Sequence, residues 1–373
     1  QWNRGTSLLQ ETKEARDTYL IEGKAPREGE IFKNPKLACT LRKIAAGGRD
    51  AFYKGDIAKE IAAYVEKEGG LLREEDFFHH TSTWVDPIST TYKGYEMYQI
   101  PPNGQGLTTL ELLNILENFD FSNMDHNSAD YIHLITEAKK LAYADRDHFI
   151  SDPHFSSAPV EQLLSKEYAY ERSQEIDWTM ARENVGPGLE LVSDTVYLTV
   201  ADKDRNVISF INSLFTPFGS GIAAGDTGVL LQNRGKGFSL EKGHLNTLEP
   251  GKRTLHTIIP ALVLKDDKPY MSYGVMGGDM QPQGQVQVLL NHIEYGMNIQ
   301  EAGEAPRFRH FESGLAVESG ISSAAYMGLL DKGHTLFVDR DVFVGFQGIL
   351  LNPSTGMLQG GSDPRKDGCA IGY

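Results

Sequence analysis

The sequence predicts an α/β protein whose first half is mainly helical and whose second half is built largely of strands. Two observations predict it. Apolar residues recur at helical spacing through the first half, and beyond about Glu183 short β-branched runs alternate with turn residues. Between the two textures, Glu183-Asn184-Val185-Gly186-Pro187-Gly188 reads as an exposed linker.

The elements follow in order. Pro35 opens a helix through Leu37, Leu41 and Ile44, which Gly47-Gly48 ends. A second runs from Ile57 to Glu66, with Ile57, Ile61 and Val65 at helical spacing, and stops at Gly69-Gly70. The alternation from Tyr92 to Ile100 predicts one strand, ended by Pro101-Pro102. Two longer helices cover Leu107–Asn118 and Ala129–Phe149, the second with Ile132, Ile135, Ala138, Leu141 and Ala142 on one face.

In the second half, Thr195–Ala201 turns through Asp202-Lys203-Asp204-Arg205-Asn206 into Val207–Phe215, a strong hairpin signal. A second hairpin joins Ile258–Leu264 to Tyr270–Val275 and runs into Gly277-Gly278, ahead of a helix around Val286–Ile293. Several of these strands are apolar on both faces, as expected of sheets covered on each side.

Composition removes several function classes. The chain has 373 residues, enough for one large domain or two intimate halves, and a net charge of −15 with no long Lys/Arg run. A nucleic-acid binder needs a basic stripe to track phosphates, so that class is excluded. Two cysteines, Cys39 and Cys369, make neither a disulfide framework nor a zinc site and read as buried or incidental thiols. No apolar run reaches the roughly 18 residues of a membrane span. The opening Gln1-Trp2-Asn3-Arg4-Gly5 has no initiator Met and no signal-peptide pattern. It leans towards a soluble, cytoplasmic protein whose natural N-terminus lies upstream, and leaves the compartment open.

Several familiar motifs fail. Asp202, Asp204 and Asn206 imitate a calcium loop, but Val207 stands where Gly is required and Ser213 where Glu is, so a hairpin turn is the better reading. Gly219, Gly221 and Gly225 lack the spacing and βαβ setting of a dinucleotide site. His79-His80 has no second ligand pair, and no Gly-x-Ser-x-Gly elbow exists. No cofactor and no metal are expected.

Four segments survive together. Thr195 opens a strand directly after the linker. It suits a plain strand edge, and it also suits a nucleophile. If the Asp194–Thr195 bond is cut, the freed α-amine, with a pKa near about 8, becomes the base that its hydroxyl needs. The hairpin returns Ser213 towards the start of that strand. Gly277-Gly278, between strand and helix, can present N–H groups to an oxyanion or simply make the turn. Gly251-Lys252-Arg253-Thr254-Leu255-His256-Thr257 supplies polar groups ahead of a buried strand.

Together these segments resemble the gamma-glutamyltranspeptidase family along essentially the whole chain. The resemblance also includes Asn34-Pro35-Lys36-Leu37-Ala38, Pro101-Pro102-Asn103-Gly104-Gln105-Gly106, Ala142-Tyr143-Ala144-Asp145-Arg146 and Gly361-Ser362-Asp363-Pro364-Arg365. It implies an N-terminal-nucleophile hydrolase with a four-layer αββα sandwich. One precursor cuts itself into a large subunit, here residues 1–194, and a small one, 195–373, which stay together as a heterodimer or a dimer of heterodimers. Thr195 would form an acyl-enzyme from a small-molecule amide, supported by Ser213 and by the N–H groups of Gly277 and Gly278. Water or an amine acceptor would complete the reaction. Family members also carry a stretch ahead of the point where this chain begins, with an arginine for the substrate α-carboxylate and part of the core.

Departures from the family pattern bear on substrate. Phe215 matches a binding asparagine, and Arg234 a polar glutamine or glutamate. Gly237 matches the aspartate that pairs with the α-ammonium, while His256 and Thr257 match paired serines. Losing a charge partner for a buried ammonium weakens its recognition. These changes resemble the gamma-glutamyltransferase-like or cephalosporin-acylase-like branch, in which Arg234 would greet the carboxylate of a glutaryl-type acyl group. Gamma-glutamyl compounds such as glutathione, other acyl amides, and an unprocessed inactive homologue remain three readings.

Overall fold

The structure, a computed structural model, describes residues 2–182, 194–339 and 342–373, with Asp194 through its backbone; the expected linker Glu183–Gly188 lies outside the described residues. The chain divides into two units, Gln1–Trp84 with Leu214–Arg234, and Val85–Ser213 with Gly235–Tyr373.

Helices Trp2–Gln10, Lys13–Tyr19, Pro35–Tyr53, Asp56–Lys67 and Glu74–His79 build the first unit. Thr12 and Asn34 cap two of them by accepting the N–H groups of Ala15 and Leu37. The helices close over the segment 214–234. Leu9, Ala15, Tyr19 and Leu20 surround Ala223, while Ile57, Ile61 and Tyr64 surround Ala224. The Tyr19 hydroxyl donates to the Gly228 carbonyl at 2.7 Å and Thr40 Oγ1 to that of Thr227 at 2.7 Å. The helix opened by Pro35 does not end at Gly47-Gly48. It breaks at Gly48, where φ is 63° and ψ −154°, and resumes to Tyr53. Without a Cβ, Gly48 takes this kink at little steric cost.

The second unit carries the strands β1 (Ile88–Tyr92), β2 (Tyr95–Gln99), β3 (Asp194–Ala201), β4 (Val207–Phe215, its last two residues in the first unit), β5 (Ala261–Lys265), β6 (Lys268–Val275), β7 (Phe308–Phe311), β8 (Gly314–Val317), β9 (Leu336–Phe337), β10 (Phe346–Leu351) and β11 (Leu358–Ser362). Six form an antiparallel sheet in the order β1-β2-β5-β6-β10-β11. β3 and β4 form a separate hairpin, and β7, β8 and β9 a small third sheet. The single strand expected over Tyr92–Ile100 is the second half of a hairpin. Lys93 and Gly94, with φ of 46° and 83°, make the tight turn whose twist joins adjacent strands.

Alternation along β6 sorts what lies on either side of it. Met271, Tyr273 and Val275 enter the main core with the helices Gly106–Leu116, Ala129–Phe149 and Met280–Ile293. Ser272 and Gly274 face the β3–β4 hairpin. Thr199 Oγ1 donates to Ser272 Oγ at 2.7 Å, and a Cβ built on Gly274 would meet the Tyr197 ring at 2.4 Å. The opposite face of the hairpin exposes a row of apolar side chains: Val196, Leu198, Val200, Ile208 and Phe210. The expectation of strands apolar on both faces is met, but on this hairpin one face is open. Of the two readings of the thiols, buried or incidental, exposure leaves the incidental one, with Cys39 in the first unit and Cys369 in the second.

The Tyr197–Gly274 contact leaves no room for a side chain. Gly274→Val is expected to cost about 1–3 kcal/mol by overpacking, seen as a Tm several degrees lower in a thermal melt. An unchanged Tm would mean the hairpin does not lie closely on β6.

Candidate active site

The Asp202–Asn206 turn fixes the start of the site from a distance. Asp202 N donates to Asn206 O at 3.0 Å, and the Asp202 carboxylate takes the N–H groups of Asp204 and Asn206, each at 2.9 Å. This is the hairpin turn that the failed calcium motif left as the better reading. Carried along the two strands, its register sets Thr195 opposite Ser213. Thr195 is buried and its Oγ1 donates to Ser213 Oγ at 3.3 Å. A β-branched residue at a strand start explains the placement. A hydroxyl-to-hydroxyl contact there is a polar choice in a buried spot.

The hairpin also sets the level of Thr195 along β6. Thr199 bonds Ser272, and Tyr197 lies on Gly274. Extrapolated by the same step of two, Thr195 would come level with Met276, the residue before the glycine pair. Gly277 and Gly278 have φ of 105° and 59°, and a Cβ on Gly277 would strike Val344 at 2.1 Å, so the first position requires glycine and the second favours it. They lead into the helix Met280–Ile293, whose Met280 and Gln281 N–H groups bond the Gly277 and Gly278 carbonyls, both at 3.1 Å. In a trans peptide the carbonyl and N–H point in opposite directions. With the Gly277 carbonyl turned into the helix, the Gly278 N–H is aimed outward at the positive end of the helix. The helix begins at Met280, six residues earlier than the apolar spacing around Val286 suggests.

Val344, which backs this turn, is itself held. The buried Arg307 donates to the Phe343 and Val344 carbonyls at 2.9 and 3.2 Å, and pairs with Asp363 at 2.8 Å. Asp363 also receives Arg365 at 3.0 Å. The Gly361–Arg365 segment therefore supports the wall behind the glycine turn, a link over long sequence separations that leaves no local signal.

The expected substrate residues lie in both units. In the first, Phe215 is buried at a φ of 85°, and the buried Arg234 guanidinium sits 5.4 Å from the centre of its ring. Burial lowers the pKa of Arg234 to about 10. In the second, Gly237 accepts from Asn246 Nδ2 at 2.7 Å, and a Cβ there would meet Thr254 Oγ1 at 3.0 Å. His256 Nδ1 lies 2.7 Å from the Thr254 carbonyl and 2.9 Å from Asn103 Nδ2, and the buried Thr257 gives its carbonyl to Gln105 at 2.8 Å.

The Gamma-glutamyltranspeptidase family matches residues 1–373. The chain belongs to that family. Its members are hydrolases of the N-terminal-nucleophile type. The chain is 43% identical over 378 residues to the glutathione hydrolase-like YwrD proenzyme of Bacillus subtilis (strain 168), covering 99% of this chain and 71% of that protein. It is 35% identical over 388 residues to the glutathione hydrolase proenzyme of Escherichia coli (strain K12), covering 99% of this chain and 67% of that protein. Among solved structures it resembles a cephalosporin acylase from Bacillus halodurans, with a TM-score of 0.92 at 42% identity over 100% of this chain and 70% of that one. The fold is thus of the mixed helix-and-sheet kind seen in this acylase. No helix among the described residues is long and apolar enough to cross a membrane.

Away from the glycine turn, His133, Glu137 and His334 bring three potential metal ligands within 4.8 Å of one another. Their polar atoms are taken by one another and by neighbours. His133 Nδ1 meets His334 Nε2 at 2.8 Å, and His133 Nε2 meets the Asp177 carbonyl at 2.7 Å. The Glu137 carboxylate accepts from Lys140 at 2.7 Å and from the Arg182 N–H at 3.1 Å. This is a buried polar network, and the Lys140 ammonium on Glu137 opposes a divalent ion there.

Burial, aided by His133, Lys140 and Lys332, lowers the pKa of His334 to about 3 from its ordinary 6.5. Such a histidine stays neutral in the fold and takes a proton when unfolded. Its effect on stability is nil above pH 6.5, and stability falls as the pH drops from 6.5 towards about 3. His334→Gln is expected to flatten the slope of unfolding free energy against pH across that window in denaturant titrations. An unaltered slope would show that His334 titrates normally.

Proposed function

We propose that this chain is the greater part of a self-processing amidase or acyltransferase in which Thr195 is freed by cleavage and acts as the nucleophile. The observation that carries the reading is a buried threonine at a strand start with its hydroxyl on Ser213. Both curated relatives above are named as proenzymes, and the chain spans about two thirds of their length.

In this mechanism the α-amine of Thr195 takes the proton of Oγ1 as the oxygen attacks the amide carbon. The Gly277 and Gly278 N–H groups hold the oxyanion, and Ser213 bonds the nucleophile. Collapse breaks the C–N bond, the amine leaves with the proton, and an ester on Thr195 remains. Water, or an amine acceptor, then attacks that ester and restores the hydroxyl. Residues 1–194 become the large-subunit portion and 195–373 the small subunit, associated as a heterodimer or a dimer of heterodimers. The finer fold reading is the four-layer αββα sandwich. Helices on one face of the six-stranded sheet and a hairpin on the other agree with its order, and the exposed row from Val196 to Phe210 is the face that a second helical layer would cover.

Gamma-glutamyl compounds such as glutathione are the first substrate class. A second, glutaryl amides of the cephalosporin type, is favoured by specific residues. Phe215 and Gly237 offer no charge to an α-ammonium, whereas the Arg234 guanidinium suits a carboxylate. The likeness to a cephalosporin acylase points the same way.

Denaturing mass spectrometry of the purified precursor is expected to find a C-terminal chain of residues 195–373 beginning Thr-Val-Tyr-Leu. Thr195→Ala should remain uncut and lose about 10⁴-fold or more in kcat. An uncut parent protein would leave the inactive-homologue reading in force. Efficient glutathione turnover with none on glutaryl amides would sink the acylase alternative.

A further inference from the structure

We infer that Gln105 is a positioning residue for the oxyanion turn, locking the Gly278 peptide by a side-chain clamp anchored on Arg146. This rests on the proposed role of Gly277 and Gly278.

Gln105 is fully buried at the entry to the helix Gly106–Leu116. Its own backbone is tied down, since Gln105 N donates to the His256 carbonyl at 3.0 Å and His256 N to that of Asn103 at 2.8 Å. Both donors of its amide are used, Nε2 reaching the Thr257 carbonyl at 2.8 Å and the Gly278 carbonyl at 2.9 Å. Its Oε1 accepts from Arg146 NH1 at 3.1 Å. The chemistry fixes which way the amide points. Flipped, its oxygen would face two carbonyls and its nitrogen a guanidinium.

The same Arg146 nitrogen donates to Asp279 Oδ1 at 2.7 Å, and the Tyr143 hydroxyl donates to the Asp279 carbonyl. Side chains from two helices thus hold the residues on either side of one peptide, Gly278–Asp279. That peptide needs holding. It carries the Gly278 carbonyl and the Asp279 N–H, and it is the fixed end from which the neighbouring Gly277–Gly278 peptide, which bears the Gly278 N–H, can turn. Two consecutive glycines have the widest backbone freedom of any pair, so a loose anchor here would let that N–H swing away from an oxyanion. The clamp narrows that freedom from its C-terminal side before substrate arrives, which is the direction electrostatic preorganisation demands. It also spans the proposed cut, with Gln105 and Arg146 ahead of Thr195 and Thr257, Gly278 and Asp279 behind it.

Gln105→Glu tests the clamp in the full precursor. The carboxylate keeps Arg146 as a partner but sets an acceptor against the Gly278 and Thr257 carbonyls. Active sites are counted by the burst of acyl-enzyme, so unfolded or uncleaved protein drops out. Per counted site, kcat is expected to fall about 10- to 100-fold while KM stays within about threefold. Ile132→Val, a core change away from the clamp, is expected to lower Tm without altering kcat per site. Should Gln105→Glu give too few sites to count, Arg146→Lys, which removes the shared donor geometry, is read the same way. A normal kcat per site in the variant read would overturn the inference and leave Gln105 a purely structural residue. Undiminished activity in Thr195→Ala would instead overturn the proposed function, so the two failures are distinguishable.

Discussion

The closeness of β3 to β6, set by the Tyr197 ring lying on Gly274, is the constraint on which the rest of the site depends. A side chain at position 274 would hold the strands apart. Its absence lets Thr199 and Tyr197 lock onto Ser272, at 2.7 and 3.4 Å, and so fixes the register of the hairpin against the sheet. Because side chains alternate along a strand, a slip of one residue would turn Thr195 to the solvent face. The hairpin turn at Asp202–Asn206 fixes the other coordinate, by choosing Ser213 as the partner of Thr195. Two local decisions some distance from the nucleophile therefore decide its surroundings.

The glycine turn is approached from the other direction. Its permissive backbone is restrained by groups that cannot move independently: Val344 behind Gly277, Arg307 and Asp363 behind Val344, and Gln105 with Arg146 at the Gly278–Asp279 peptide. The buried Arg307–Asp363 pair has most of its remaining polar atoms bonded to backbone carbonyls and to Arg365, with Arg307 Nε left unbonded, and such bonds are what offset the desolvation cost of a buried ion pair. Flexible residues supply the geometry, and rigid neighbours supply its persistence.

What was legible in the sequence is what short-range chemistry dictates. The helix Ala129–Phe149 was readable to its ends because Ser128 caps it and its apolar face is regular. The β3–β4 hairpin was readable because its turn residues bond to themselves. The Lys93-Gly94 turn was missed because Lys is a poor marker of positive φ, and the kink at Gly48 because a glycine pair signals an end as readily as a bend. In the sequence Gln105 and Asp363 stand out only as parts of family-like stretches. Their roles come from partners over 50 or more residues away, at Gly278 and Arg307, and no periodicity encodes such contacts. The sequence left Cys39 and Cys369 between buried and incidental for a related reason, since small hydrophobic character says nothing of where the chain ends up.

Those two thiols have a practical consequence. They are the only cysteines in the sequence, both are exposed, and one lies in each unit. Residues 1–373 therefore carry a pair of attachment points for a donor and an acceptor dye. Energy transfer between dyes on the two thiols would report any change in the distance between Cys39 and Cys369 during processing or turnover.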